Sequence, residues 1–306
     1  MHIAIMGSGG VGGYVGARLQ AAGQRIAFIA RGAHLDAMRR GGLSIETPDH
    51  PVHVGPVTAT EHPADVGPVD LVLFCVKLWD TESAARAMAP MIGPHTRVLT
   101  LQNGIDSRAM LAAHVAASQV RGGVIYVSAV IDRPGVIRSP GGLHRIVADA
   151  AEGDAVMTAF RNACDQAAAL EATLTPAIDV AIWEKFIALA SLSGATSLLR
   201  ASMGPILAHP ESRVLQRQLV DEAVAVGRAT GIAVRDDLAD EIMMKLTAMP
   251  GAFRSSMAED LERGKPLELQ WLSGRVHALG LQHGVPTPAH SVVYRALALY
   301  ERGKAV

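Results

Sequence analysis

A short apolar run, Met1-His2-Ile3-Ala4-Ile5-Met6, opens the chain and stops at a glycine cluster, Gly7-Ser8-Gly9-Gly10-Val11-Gly12; a helical pattern follows over residues 11–22. Few sequence features constrain a fold as tightly, because each glycine has its own task. Gly7 makes the tight turn, Gly9 lets a pyrophosphate approach the backbone, and Gly12 lets the helix pack on the sheet. The first N–H groups of the helix have no intrahelical partner and sit at its positive end, so the loop through Ser8, Gly10 and Val11 favours an anion. Glycines at this spacing are weak evidence alone. Here strand, turn, helix and a second strand at 26–30 occur in the right order, which is the context that marks a dinucleotide-binding βαβ unit.

The pattern continues. Continuous runs rich in Val, Ile and Leu at 71–76 and 98–101 read as strands buried on both faces, with helical stretches between several of them, notably 81–91. Strands alternating with helices imply a doubly wound parallel sheet of Rossmann type. Residues 124–131, the turn Asp132-Arg133-Pro134-Gly135 and residues 141–148 read as antiparallel strands closing that domain. A helix at 156–170 is expected to end it, with 173–176 as linker. Beyond that point strand signals vanish, and 178–200, 213–230, 237–246, 256–263, 266–283 and 290–302 read as helices. The expectation is therefore an α/β chain: a Rossmann-type domain over 1–175 and an all-helical domain over 176–306. The length of 306 residues suits two cores, and 49% hydrophobic residues supply them.

A net charge of −1 gives no electrostatic footprint for nucleic acid or an anionic membrane surface. No apolar run reaches the ~20 residues needed to span a bilayer. The N-terminus lacks a basic segment of the signal-peptide kind, so the cytoplasm is the expected location. Cys75 and Cys164 show no metal or redox spacing, and no metal is expected.

Where the second strand ends, an NAD site commonly carries an acid for the ribose 2′-hydroxyl. Here the residues are Phe28-Ile29-Ala30-Arg31-Gly32. An Arg suits a 2′-phosphate, so NADPH is the expected cofactor, with a solvated surface Arg31 as the plain alternative. Lys77 and Asn103-Gly104 each follow a buried strand, where open α/β sheets bind ligands. Each has a bland reading too, a surface lysine and an ordinary Asn-Gly turn. Lys185 is the only cation between residues 178 and 199, in an otherwise apolar helix. Partial burial would lower its pKa and suit it to proton donation near neutrality; snorkelling from a core helix is the alternative.

The order GxGxxG, strand-end Arg, Val-Lys, Gln-Asn-Gly, Trp-x-Lys, Ser-Ser-Met and a later Glu resembles the ketopantoate reductase (2-dehydropantoate 2-reductase) family, from Gly7 to Glu268 and into the last helix. The resemblance implies an NADPH-binding Rossmann domain joined to a helical domain, an active site in the cleft between them, and reduction of a branched 2-keto acid. Residue by residue it implies Lys185 as proton donor, Glu268 as the acid orienting substrate and lysine, and Asn103 beside nicotinamide ribose and substrate carbonyl. It also implies Lys77 near the nicotinamide ribose, Arg31 at the 2′-phosphate and Ser256 on the substrate carboxylate. Ser256 followed by Glu259 also reads as a capping box, and Glu268 after Pro266 as an acid complementing a helix dipole.

The chain departs from the family at two positions. Asparagines are usual four and eight residues after the lysine; here stand Leu189 and Ser193. Residues so spaced share a helix face. Ser193 can still hydrogen-bond substrate; Leu189 cannot. A related reductase of another 2-keto acid is therefore the alternative reading, and a non-catalytic NADP(H)-binding sensor the second. The sequence leaves the oligomeric state open, a homodimer included.

Overall fold

A computed structural model describes residues 1–141 and 144–304. The chain divides into two compact units, Met1–Ile178 and Asp179–Val306.

The first unit runs β1 (His2–Met6), α1 (Gly10–Ala21), β2 (Arg25–Ile29), α2 (Gly32–Gly41), β3 (Leu43–Glu46), β4 (Val52–Val54), β5 (Thr58–Thr60), β6 (Leu71–Phe74), α3 (Thr81–Ala87), β7 (Arg97–Thr100), α4 (Ser107–Ala112), β8 (Val120–Tyr126), β9 (Val130–Arg133), β10 (Val136–Arg138), β11 (Arg145–Asp149), α5 (Ala155–Asp165) and β12 (Glu171–Thr175). Among the described residues, eight strands form one sheet in the order β12-β11-β8-β7-β6-β1-β2-β5. The strands from β8 through β5 pair in parallel, while β11 joins β8 antiparallel. The expected doubly wound α/β architecture is present. Its inner strands are continuously apolar because both faces are covered: Ile3 and Ile5 face one core with α1 residues Tyr14 and Val15, while Ala4 and Met6 face another with Ala84 and Leu111. The chain order reverses beside β1, with β2 on one side and β6 on the other. The glycine turn therefore opens at the switch point of the sheet.

Three expectations for this unit need correction. Residues 124–131 are two strands in two sheets: β8 stays in the large one, while β9 pairs with β10 in a small sheet ordered β4-β3-β10-β9. The turn expected at Asp132–Gly135 does connect β9 to β10, with Gly135 at φ +79°. The helix expected over 156–170 stops at Asp165, and the expected linker at 173–176 begins inside β12, which pairs parallel with β11. Glu171-Ala172-Thr173-Leu174-Thr175 is a short strand with two β-branched threonines, a pattern too brief to stand out beside a long helical run. Of the strand expected at 141–148, Gly142 and Leu143 lie outside the described residues, and β11 begins at Arg145.

The second unit is helical: α6 (Ile178–Leu198), α7 (Met203–Ala208), α8 (Pro210–Ala229), α9 (Leu238–Ala248), α10 (Ser256–Glu262), α11 (Ser273–His283) and α12 (Pro288–Leu297). α6 is apolar almost all round, and its residues 190–197 are buried on every face. Trp183 packs edge-on against Phe186, and a Cβ on Gly227 of α8 would sit 3.1 Å from the Trp183 ring. The sequence pattern misses the six-residue α7. It also starts α11 too early. Residues 266–272 form irregular turns, and the helix begins at Ser273, whose hydroxyl bonds His290 Nδ1 at 3.1 Å. Among the described residues no helix is long and apolar enough to cross a membrane.

Candidate functional site

In the first unit the site is a backbone cradle. Gly7 has φ +96°, and a Cβ there would sit 2.8 Å from the Val76 nitrogen at the end of β6. A Cβ on Gly12 would collide with the Gly7 carbonyl oxygen and the Ile5 side chain, so this glycine lets α1 lie close on β1. One on Gly10 would strike the carbonyl oxygen of Ala129, in the segment between β8 and β9. Gly9, the N-cap of α1, differs from all of them: a Cβ there meets nothing within 4 Å. A side chain at Gly9 would point into open space. Ser8 is locked in place, its N–H bonding the Ile29 carbonyl at 2.9 Å and its hydroxyl the Ile5 carbonyl at 3.4 Å. Val11 follows in the first turn of α1, which holds no acidic residue to repel an anion.

Arg31 is exposed and forms the N-cap of α2 just beyond β2. Lys77 is exposed beyond β6, its ammonium 5.5 Å from the centre of the Trp79 ring. Asn103 is half-buried beyond β7, followed by Gly104 at φ +81°. Because β2, β1, β6 and β7 are parallel neighbours, Arg31, the glycine turn, Lys77 and Asn103 all stand at the same edge of the sheet. Gln102 is the residue that sequence reasoning misses. Its buried amide donates to the Val76 carbonyl at 3.0 Å and to Thr81 Oγ1 at 2.9 Å, tying the segment bearing Asn103 to the one bearing Lys77. A polar residue ending an apolar strand, Thr100-Leu101-Gln102, is the signal that could have found it.

In the second unit the site is made of side chains. Lys185 is half-buried in the second turn of α6. Desolvation pulls its pKa down to about 8, while the charge of Glu268 pushes the other way. Glu268 is only 7% exposed, in the irregular segment before α11. Four and eight residues after Lys185 come Leu189, half-buried, and Ser193, 1% exposed with an Oγ that has no hydrogen-bond partner among the described residues. Three residues on, Thr196 Oγ1 bonds Ser255 Oγ at 2.8 Å, linking α6 to the start of α10.

Two local readings fall here. The N-cap of α10 is Ser255, whose hydroxyl accepts from the Ala258 N–H at 3.1 Å; Ser256 is the exposed first residue of the helix, so it forms no capping box with Glu259. Glu268 is five residues ahead of α11, so a helix dipole does not explain it. What its position does provide is an acid buried close enough to Lys185 to hold its charge.

Comparison with known proteins adds the lineage. Residues 3–153 match the family profile of ketopantoate reductase PanE/ApbA, and residues 177–301 match that of its C-terminal part. The chain belongs to the ketopantoate reductase family. Among its relatives are the 2-dehydropantoate 2-reductases of Mesorhizobium japonicum, 30% identical over 99% of this chain and 97% of that one, and of Halobacterium salinarum, 31% identical over 97% of each. The crystal structure of a PanE/ApbA family ketopantoate reductase from Ralstonia eutropha superposes with a TM-score of 0.90 at 32% identity, covering 98% of both chains. A D-mandelate dehydrogenase solved with NADH and anilino(oxo)acetate shares the fold, with a TM-score of 0.86 over 98% of both chains at 21% identity. Ketopantoate reductases thus match both halves of this chain.

Proposed function

We propose that the protein catalyses the NADPH-dependent reduction of 2-dehydropantoate to pantoate, with Lys185 as proton donor. The observation that carries the proposal is Lys185 itself, an ammonium desolvated to a pKa of about 8 and facing the charge of a buried glutamate. An acid with a pKa near the working pH is both protonated and ready to give the proton up. The first unit fits a dinucleotide: Gly9 leaves open backbone, the first turn of α1 is free of acids, and an Arg rather than an acid follows β2. Gly7, Ser8, Gly9, Gly10, Val11 and Gly12 would hold the pyrophosphate, Arg31 the 2′-phosphate, and Lys77 and Asn103 the nicotinamide end. When bound, NADPH supplies the hydride to C2 of the keto acid.

This chain's residues do the rest. As C2 gains the hydride, its oxygen takes on negative charge; Lys185 stabilises that charge and donates Nζ–H, so an alcohol forms and a neutral amine remains. Glu268 keeps Lys185 protonated until then. Ser256 and Asn103 bind the substrate carboxylate and carbonyl, and Ser193, a buried hydroxyl with bonding capacity to spare, binds a further oxygen.

Leu189 favours a second reading. It occupies the helix face of Lys185 and Ser193 and offers no hydrogen bond, so a 2-keto acid with an apolar chain could replace one carrying a hydroxyl. Steady-state assays with 2-dehydropantoate and 2-keto-3-methylbutyrate, each with NADPH and NADH, decide between them. Turnover of 2-dehydropantoate with NADPH preferred by about tenfold or more supports the proposal. Better turnover of the apolar acid supports the second reading. Cofactor binding without oxidation by any keto acid refutes both.

A further inference from the structure

Glu268 lies in a run of turns rather than on a helix, yet its charge acts on Lys185, so the run has to be fixed by its neighbours. On the amino side, Leu267 donates to the Glu301 carbonyl at 2.9 Å. On the carboxyl side, the Trp271 N–H bonds the Glu268 carbonyl at 3.2 Å and the Gly274 N–H bonds the Leu269 carbonyl at 2.9 Å. The run closes at Ser273, which is fully buried. Its hydroxyl meets His290 Nδ1 at 3.1 Å, and His290 Nε2 meets the Leu219 carbonyl at 2.9 Å. Those two bonds settle where the ring proton sits. A carbonyl can only accept, so Nε2 carries the hydrogen, and Nδ1 of the neutral ring accepts from the Ser273 hydroxyl. Burial pushes the His290 pKa down to about 4, which keeps the ring neutral near pH 7.

His290 is itself held by α8. The Glu222 carboxylate accepts the Ala289 N–H at 2.8 Å and the His290 N–H at 2.9 Å in the first turn of α12, and Leu219 takes the ring proton. Ser273 also lies against α6: a Cβ on Gly194, the residue after Ser193, would sit 3.2 Å from the Ser273 Oγ and 3.5 Å from the Leu219 side chain. One buried polar knot therefore ties α6, α8, α11 and α12 together just beyond the turns that carry Glu268. Apolar contacts can slide, whereas a buried network with every member bonded permits one arrangement. We propose that Ser273 and His290 are positioning residues that hold the Glu268 carboxylate where its charge acts on Lys185; the inference rests on Lys185 as the proton donor.

Nuclear magnetic resonance of the full chain, isotope-labelled at lysine Cε and free of cofactor and substrate, tests this by reading the Lys185 titration midpoint. The natural chain should titrate at about 8. Glu268→Gln, Ser273→Ala and His290→Gln should each lower the midpoint by about half a pH unit or more. His290→Asn should leave it in place, because Asn sets an acceptor near the position of Nδ1 and keeps the Ser273 link, whereas Gln sets a donor near Nε2 and keeps the Leu219 link. Ser273→Ala added to Glu268→Gln should lower it no further than Glu268→Gln alone. Circular dichroism checks folding, and if Ser273→Ala does not fold, the contrast between the two His290 variants carries the test. The proposal is overturned if Glu268→Gln lowers the midpoint and His290→Gln does not, if His290→Asn lowers it as much as His290→Gln, or if the double variant shows additive effects. A midpoint unmoved by Glu268→Gln overturns it as well. The proton-donor reading fails separately, by undiminished turnover in Lys185→Ala.

Discussion

At the glycine turn, position is enforced by what is missing. Gly7, Gly10 and Gly12 are each required because a Cβ would run into backbone, and Gly9 is open because no protein atom fills the space beside it. On α6 the reverse holds. Lys185 is distinguished by what surrounds it: an apolar helix that strips its water and a buried carboxylate that restores part of its charge preference. The first kind of site is a property of a short stretch of chain. The second exists only after two residues far apart in sequence, Lys185 and Glu268, have met. One half of the molecule should thus respond to substitution through shape and the other through protonation.

The sharpest test of that contrast is Lys185→Ala. Loss of a positioned general acid costs about 10²–10⁴-fold in rate. We expect kcat to fall by that factor while NADPH affinity stays nearly unchanged, as measured by steady-state kinetics and fluorescence titration. Equal losses in both would mean that the lysine binds cofactor and does not deliver a proton.

Next in size is a pair of alanines in the turn. Gly12→Ala forces a methyl against the Gly7 carbonyl, an overpacking worth about 1–3 kcal/mol, so thermal unfolding should shift down by roughly 2–4 °C for each kcal/mol. Gly9→Ala meets no protein atom and has φ −75°, which alanine adopts freely. Its melting temperature should be unchanged, and its NADPH affinity should fall by about tenfold or more, because the methyl occupies the space where the cofactor backbone contact forms. A Gly9→Ala variant that melts early, or that binds NADPH normally, would show that the open space above Gly9 is not a ligand's.

The same contrast separates the features that the order of amino acids reveals from those it hides. The parallel sheet, its switch point and the roles of individual glycines are legible because they follow from local pattern: an apolar run, a glycine spacing, a helix. β12 is illegible because five residues next to a helix carry too little periodicity, and its strand status comes from pairing with β11. Ser255 takes the cap expected of Ser256 because both are serines and only Thr196, 59 residues away, distinguishes them. The early start expected for α11 comes from Pro266, a good first-turn residue; in the fold that segment is instead tied down by Leu267 donating to the Glu301 carbonyl at 2.9 Å. Lys185 can be picked out as a lone cation in an apolar helix, but its lowered pKa depends on Glu268 and on burial, neither of which is local.

The smallest expected effect tests that last dependence most directly. The Glu268 charge raises the pKa of Lys185 against desolvation. In the natural chain the donor form is lost as pH rises through about 8, so kcat should decline above that value. Glu268→Gln removes the opposing charge, the pKa falls further, and the declining limb of the kcat profile should move to lower pH, with a modest loss at neutrality. Lys185→Arg should lose kcat much as Lys185→Ala does, since a guanidinium does not deprotonate and so cannot give up the proton. If Glu268 instead acts by gripping substrate, the variant raises KM and leaves the limb where it was. The position of that limb therefore separates an acid that tunes its neighbour from one that binds the keto acid itself.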